Sequence, residues 1–501
     1  MKTKPMASQE LALKALEGKR NFALLMEMGL GKTWTILADA ERAFLAGKID
    51  ALVVMAPNGV HTNWIRREAP MHLGCRWIGY AWRGKPTSKK AKAQLDKIYA
   101  SHYVAEQMPL RIFTINFEAM QSKVAVAELE KFLQTYRCMF AVDESTRIKN
   151  PNGARAKAVV KLGKLAVARR IMSGSPMPKS PDDLFMQFNF LKPGLLGTKS
   201  FRAFKTEYNV LLDPDDPKMI AIMRKLGGRT FGIPQVTATD ENGHPIYKNL
   251  DRLSAFLKPH SFRATKAEFL DLPPKIYKVV SFPLATEQRK IYDRLQQEYS
   301  FLFDNPEQDA LEDVSFQAIA ARSKMKQATS GFVNIYGEPV LMPSEENPRL
   351  GAFKEVISSF MDTEPNRQFI IWAMFREELA QIKSYLDSVG LTSEVYNGDT
   401  PKDKREEIID DFQAGKIQFF IGHAQAAGIG ITLTAATCAI YYSCSDDNEL
   451  RMQSEDRCHR IGTKSSVLYI DLVAEDTLDE VIHRRNSMKS MVADVVIDGK
   501  Q

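Results

Sequence analysis

Residues 21–35 read N-F-A-L-L-M-E-M-G-L-G-K-T-W-T, and no other stretch limits the possible fold as strongly. An apolar run from Phe22 to Met26 breaks at Gly29 and Gly31, then gives Lys32 and Thr33 at a helix start. Apolar strand, glycine turn, Gly-Lys-Thr and helix is the arrangement that holds nucleotide phosphates. The N–H groups of such a turn point at the anion, and the helix N-terminus adds favourable partial charge. Lys32 would reach the β- and γ-phosphates of ATP, and the Thr33 hydroxyl would ligate Mg2+. The strict pattern asks for a glycine where this chain has Met26. A helix-capping Gly-Lys-Thr is therefore the plainer alternative, and the rest of the chain has to decide.

At 501 residues the chain has room for two to four units at roughly 100–200 residues each. Hydrophobic residues at 44% and charged residues at 26% describe a globular protein with ample core. No apolar run approaches the roughly 20 residues that span a membrane. The first ten residues carry lysines with no apolar segment behind them, unlike a secretory leader. A net charge of +7 is compatible with a polyanionic partner. The cysteines, Cys75, Cys138, Cys438, Cys444 and Cys458, include no C-x-x-C pair. Cys458 beside His459 has no companion pair to complete a metal site, so buried thiols in a reducing cytoplasm are expected.

In chain order, residues 1–20 read as a helix, with Gln9 shortly before the phosphate loop. Its amide would read an adenine edge with one donor and one acceptor, or simply face solvent. A helix over 33–46 closes at Gly47. The runs A-L-V-V-M-A at 51–56 and R-I-F-T-I at 111–115 suit buried parallel strands. Asn116 stands at the C-terminal end of the second, the edge where binding groups collect in parallel sheets. Residues 138–150, C-M-F-A-V-D-E-S-T-R-I-K-N, deliver Asp143 and Glu144 to another strand end. Adjacent carboxylates there are costly unless a cation or a proton transfer uses them. Asp143 would hold Mg2+ through water and Glu144 would polarise the attacking water. A further strand, 171–176, ends in Ser173 and Ser175, which would bond to the acidic pair and sense the γ-phosphate, or form a plain turn.

From 181 to about 270 the pattern is helical and aromatic-rich, with a polar loop or hairpin at 235–249. Leu272-Pro273-Pro274-Lys275 reads as a stiff linker. Helical, charged sequence follows to 330, and Asn347-Pro348 marks a boundary. A second α/β unit then offers strands at 368–374, 417–421 and 439–443, a helix at 401–413 and a glycine-rich stretch at 422–434. Residues 453–462 place Arg457 and Arg460 three apart, on one helix face. They make either a surface ion-pair patch or fingers that stabilise transferring phosphate charge.

The ordered ensemble resembles a Swi/Snf-type DNA-dependent ATPase, a helicase-like motor of superfamily two. Met26 through Thr33 matches that family's phosphate loop, with Met26 in place of an acidic residue. Val53 through Pro57 with Asn63-Trp64 matches the next motif. Asp143-Glu144-Ser145-Thr146 departs from Asp-Glu-Ala-His, and Arg147 through Asn150 continues the pattern. Ser173 through Pro176, Phe190 through Gly194, Phe262 through Lys266, Ala427 through Thr434 and Gln453 through Gly462 complete it.

The resemblance implies an α/β fold of two recombinase-like parallel-sheet lobes, P-loop NTPase type, with helical protrusions between them. The expected divisions are lobe one at 1–195, protrusion at 196–270 and linker at 271–280. A helical insertion at 281–346, lobe two at 347–480 and a tail at 481–501 follow. It also implies ATP held by Gln9, Gly29, Gly31, Lys32, Thr33, Gly430 and Gln453, Mg2+ at Thr33 and Asp143, and hydrolysis by Lys32, Asp143, Glu144, Arg457 and Arg460. Asn58, Asn116, Lys149, Asn150, Thr400 and Arg405 would meet the backbone of double-stranded DNA, which tracks a duplex without reading its sequence. The activity implied is ATP-driven translocation on duplex DNA without strand separation, by a monomer. The alternatives are a strand-separating DNA or RNA helicase and an ATP-dependent switch acting on a protein partner. A motor that ends near residue 475 fits a stand-alone translocase in the cytoplasm of a bacterial or phage-infected cell, associated with the nucleoid.

Overall fold

The computed structural model describes residues 1–100, 108–225, 235–241, 244–303, 312–335, 338–343, 345–423, 431–460, 462–463, 465–493 and 496–497. The chain divides into two compact units that interleave in sequence. The first is Met1–Asn209, Tyr247–Asp271 and Met491–Gln501; the second is Val210–Ile246 and Leu272–Ser490.

The first unit is built on seven strands: β1 (Asn21–Met26), β2 (Ala51–Ala56), β3 (Trp77–Ala81), β4 (Leu110–Asn116), β5 (Cys138–Asp143), β6 (Ala168–Met172) and β7 (Ser261–Ala264). Their order is β3-β4-β2-β5-β6-β1-β7, and every pairing is parallel. Strands buried on both faces need no polar alternation, which is why β2 reads as six consecutive apolar residues, all buried. Their side chains divide between two cores. Ala51, Val53 and Met55 join Leu25 and Phe140 on one face, while Leu52, Val54 and Ala56 join Leu24 and Met139 on the other.

The second unit repeats the plan with β8 (Lys275–Phe282), β11 (Phe369–Ala373), β12 (Ser393–Tyr396), β13 (Phe419–His423), β14 (Cys438–Tyr441) and β15 (Val467–Ala474). The order is β12-β13-β11-β14-β15-β8, again parallel throughout. β9 (Phe332–Ile335) and β10 (Glu338–Leu341) form a separate antiparallel pair. Arg349 is buried in this unit. Its guanidinium meets the Asp479 carboxylate and the Tyr442 carbonyl and donates to the Leu472 carbonyl at 3.1 Å, tying β14, β15 and the last helix together.

The fold departs from the sequence reading in four places. The expected linker is half strand: Lys275–Phe282 is the edge of the second sheet, in register with all of β15. The expected helical protrusion contains β7, which pairs with the phosphate-loop strand, Met26 opposite Ala264. The tail expected from residue 481 is the continuation of the helix Leu478–Ala493. The helix expected over 1–20 spans only Ala7–Ala15. The polar stretch near 235–249 does pair, through the antiparallel bridges Leu211↔Thr237 and Thr239↔Pro245. No helix among the described residues is long and apolar enough to cross a membrane.

Candidate nucleotide site

β1 delivers the chain to the C-terminal edge of the first sheet, where residues 27–31 turn back into the helix Lys32–Leu45. Gly29 and Gly31 hold φ of +88° and +81°, the left-handed region in which a Cβ is costly. A Cβ on Gly31 would also lie 1.9 Å from Gln9 Nε2, so the Gln9 amide would have to give way. That glycine is the helix N-cap and offers no side-chain cap. The first N–H groups of the helix are left for an anion. Lys32 Nζ donates to the Met26 carbonyl at 2.9 Å, folded back over its own loop. Thr33 is half-buried in the first turn.

Gln9 is 4% exposed, so it does not face solvent. Its Oε1 accepts from Met6 N–H at 2.7 Å and its Nε2 donates to the Gly31 carbonyl at 3.3 Å. The amide expected to read adenine is here engaged at both ends, bracing the phosphate loop.

Asp143 ends β5 with 8% exposure and accepts a 3.4 Å hydrogen bond from Trp64 Nε1. Burial, then repulsion from Glu144, pushes its carboxyl up to about 7, against the opposing pull of the Lys32 ammonium and the Trp64 indole. A buried carboxylate short of positive charge suits a divalent cation. Among the described residues no cluster of three or more His, Cys, Asp or Glu could cage a metal. Mg2+ at Thr33 and Asp143 would therefore draw its remaining ligands from nucleotide phosphates and water, its usual habit. Glu144 takes φ +51°, a left-handed turn uncommon outside glycine, asparagine and aspartate. The chain bends there instead of extending the strand.

Behind the acidic pair, Ser145 Oγ donates to Gln187 Oε1 at 2.6 Å. Gln187 Nε2 donates to the carbonyls of Pro176 at 2.6 Å and Asp183 at 2.7 Å. This fully buried amide joins the strand end of β5 to the loop 173–176. It went unnoticed in sequence, although a glutamine inside D-L-F-M-Q-F-N-F-L is a visible anomaly. Ser173 Oγ accepts from Ser175 N–H at 3.1 Å, which is the turn alternative for those serines. A Cβ on Gly174 would lie 3.4 Å from Met28 N, so this loop rests against the phosphate loop.

Arg263 of β7 holds the same junction from the other side. It donates to the carbonyls of Leu25 at 3.2 Å and Gly174 at 3.3 Å and lies 3.4 Å from Glu27 Oε1. The other Glu27 oxygen accepts from Lys266 N–H at 2.8 Å. Arg263→Ala should leave the fold intact and raise the KM for ATP about tenfold, the worth of one charge-assisted contact. Arg263→Lys should recover part of it, and steady-state phosphate release alongside a thermal melt measures both.

Asn58 and Asn116 meet at the ends of β2 and β4, Asn116 Nδ2 donating to Asn58 Oδ1 at 3.4 Å. Asn150 is exposed, its Oδ1 accepting from Asn152 N–H at 2.9 Å. Lys149 is committed to Asp183, 3.7 Å away, whose carboxyl burial pushes up and the lysine pulls down.

In the second unit, Thr400 and Arg405 build their own loop. Asn397 N–H donates to Thr400 Oγ1 at 2.9 Å, and Arg405 Nε donates to the Thr400 carbonyl at 2.9 Å. Gln453 Nε2 donates to Glu449 Oε1 at 3.1 Å. The helix Asn448–Glu455 ends before Arg457 and Arg460, so the two arginines do not share a helix face as expected. Arg457 is fully buried with Nη1 3.5 Å from the Ile431 carbonyl. Arg460 is half-buried, donates through Nε to the Asp456 carbonyl at 2.6 Å and through Nη1 to Thr432 Oγ1 at 3.2 Å. Both arginines thus brace residues 431–432. Gly430 lies outside the described residues.

The SNF2-related domain family matches residues 10–338 and the helicase conserved C-terminal domain matches residues 351–462. The mouse chromodomain-helicase-DNA-binding protein 1-like is 22% identical over 482 residues, 94% of this chain and 47% of its own length. The rice DNA excision repair protein CSB is 24% identical over 518 residues, 95% of this chain and 39% of its own. The chain thus spans less than half the length of these curated relatives. A solved structure of the Sulfolobus solfataricus SWI2/SNF2 ATPase core in complex with dsDNA aligns over 100% of this chain and 94% of its own. Its identity is 22% and its TM-score 0.39.

Proposed function

This chain belongs to the SNF2-related family, and from that premise we propose that it hydrolyses ATP to move along double-stranded DNA without separating the strands. The translocation would displace or remodel what is bound to that DNA. One observation carries the reading: the phosphate loop, the acidic pair, Asn58 and Asn116 all stand at the C-terminal edge of one parallel sheet. Nucleotide chemistry and backbone-gripping amides then share a rigid frame, so a shift at one is felt at the other.

In this mechanism the helix N–H groups beyond Gly31 and the Lys32 ammonium bind the β- and γ-phosphates. Lys32 exchanges the Met26 carbonyl for phosphate oxygen. Thr33 and Asp143 would hold Mg2+, which would supply charge neutralisation of the phosphates when bound. Glu144 would accept a proton from the attacking water as its oxygen bonds to the γ-phosphorus and the bond from that phosphorus to the β–γ bridging oxygen breaks; ADP and phosphate leave, Glu144 returns its proton to solvent, and the lysine folds back. Gln453 and Arg460 would contact the nucleotide, whereas Arg457, which the sequence also offered for that role, is fully buried and braces the Ile431 carbonyl instead. The amides and Lys149, with Thr400 and Arg405, would track the phosphate backbone of a duplex by contacts that carry no sequence information. We place this activity in a monomer on nucleoid DNA.

Steady-state ATP hydrolysis without nucleic acid, with single strands, with duplex DNA and with duplex RNA tests the reading. Stimulation of at least about tenfold (about 1.4 kcal/mol in barrier) by duplex DNA alone is the expected result, followed by triplex displacement without unwinding of a forked duplex. Equal stimulation by single strands would favour the strand-separating helicase. Indifference to every nucleic acid would point to the protein-directed switch.

A further inference from the structure

The stretch 83–97, R-G-K-P-T-S-K-K-A-K-A-Q-L-D-K, carries six cations against one carboxylate. Its net +5 compares with +7 for the whole chain. Arg83, Lys85, Lys89, Lys90, Lys92 and Lys97 are all exposed. No ion pair involves any of them among the described residues, although cations elsewhere on the surface are commonly paired, as Arg137 is with Asp50 and Lys416 with Asp411. The helix Lys89–Tyr99 buries Ile98 and packs Leu95 and Tyr99 against the first core, which leaves its lysines on the outward arc. Four like charges at successive spacings of one, two and five residues on a solvated face repel one another. A folded chain tolerates that cost, and a polyanion would relieve it.

The position favours a nucleic-acid backbone. β3 is the outer edge strand of the first sheet, with β4 and then β2 inside it. Arg83 and Lys85 leave from the C-terminal end of β3, the same edge that carries Asn116 at the end of β4 and Asn58 just beyond β2. Strands about 4.8 Å apart put β3 only about 10 Å from β2, so one short stretch of duplex backbone spans both. The helix then runs back along the flank for about 16 Å at 1.5 Å per residue.

We infer that residues 83–97 form an accessory electrostatic grip for duplex DNA, beyond the strand-end contacts implied by the family resemblance. The inference rests on the proposed function for the identity of its ligand. The grip contributes affinity and not turnover, because none of its residues approaches the nucleotide loop along the sheet. Lys89, Lys90, Lys92 and Lys97 each neutralise a backbone phosphate and release its counterion.

The test uses the full chain and a fluorescent 30-base-pair duplex titrated at several salt concentrations. The variant K89Q/K90Q/K92Q/K97Q is compared with K14Q/K48Q/K161Q/K164Q, which removes the same charge from exposed lysines elsewhere. Each lost phosphate contact lowers the slope of log K against log salt by about 0.9. The first variant should lose two or more slope units and bind at least about tenfold more weakly, with kcat at saturating duplex and the melting temperature unchanged. The second should stay close to wild type. Equal slopes in all three proteins, or equal loss in both variants, would overturn the inference while leaving the motor reading intact. A wild type that does not bind duplex at all would bring down both, and is thereby told apart.

Discussion

Lys32→Ala should cut ATP turnover by about a thousandfold or more while leaving the protein folded. The size follows from what the ammonium does. Charge builds on the β–γ bridging and γ-phosphate oxygens as the bond breaks, and a preorganised cation there contributes on the order of 4 kcal/mol. The lack of structural damage follows from where the side chain sits. The side chain is half-buried, and among the described residues its Nζ donates to the Met26 carbonyl alone, so its loss removes one hydrogen bond and no core packing. Phosphate release and a melting curve on the same preparation check both halves. Retention of more than about a tenth of the activity would mean that the loop holds some other anion.

Arg460→Ala should separate binding from turnover: ATP still binds, and kcat falls by about 10³-fold, within the range of arginine fingers. The geometry distinguishes it from Arg457, three residues earlier. Arg457 is fully buried against the Ile431 carbonyl. Its replacement by alanine should lower the melting temperature by several degrees, as loss of a buried side chain does. Arg460 is half-buried, and burial lowers its guanidinium pKa without discharging it. Arg460→Lys should not rescue turnover, since a point charge cannot reproduce a planar fork on phosphate. Fluorescent-nucleotide binding beside single-turnover hydrolysis makes the separation visible. Normal hydrolysis by Arg460→Ala would refute the assignment of this second-unit arginine to the nucleotide.

The sequence made the central strands and their cargo plain because both signals are local. Ala51–Ala56 coincides with its apolar run, and Asp143 is the last residue of its own strand. It concealed elements whose burial depends on partners far along the chain. β15 contains Asp471, which breaks the apolar run, and the residue is tolerated because Arg451 meets both of its oxygens. β3 is short and interrupted by Gly79, where a Cβ would lie 2.6 Å from Ile65 Cδ1. β7 reads S-F-R-A, too short and too polar to signal a strand, and its pairing with β1 supplies the missing order. Within the site, residue types and strand ends were legible. The struts were not: Gln187, Arg263 and the engaged Gln9 act through contacts spanning 22 to 238 residues of chain.

The interleaving of the two units bears on how a ribosome delivers this protein. Val496 is fully buried in the first unit's core, beside residues from the opening half of the chain. β7, which covers the open edge of the phosphate-loop strand, is more than two hundred residues downstream of it. A nascent chain of 209 residues therefore has six strands of its sheet, a bare edge beside β1, and a core still lacking its last valine. Bare edges invite pairing with foreign strands. The edge beside the nucleotide loop closes once β7 emerges, before most of the second unit, whereas Val496 joins the core only after that unit is made, and a cell expressing this chain would gain from chaperone cover throughout that interval.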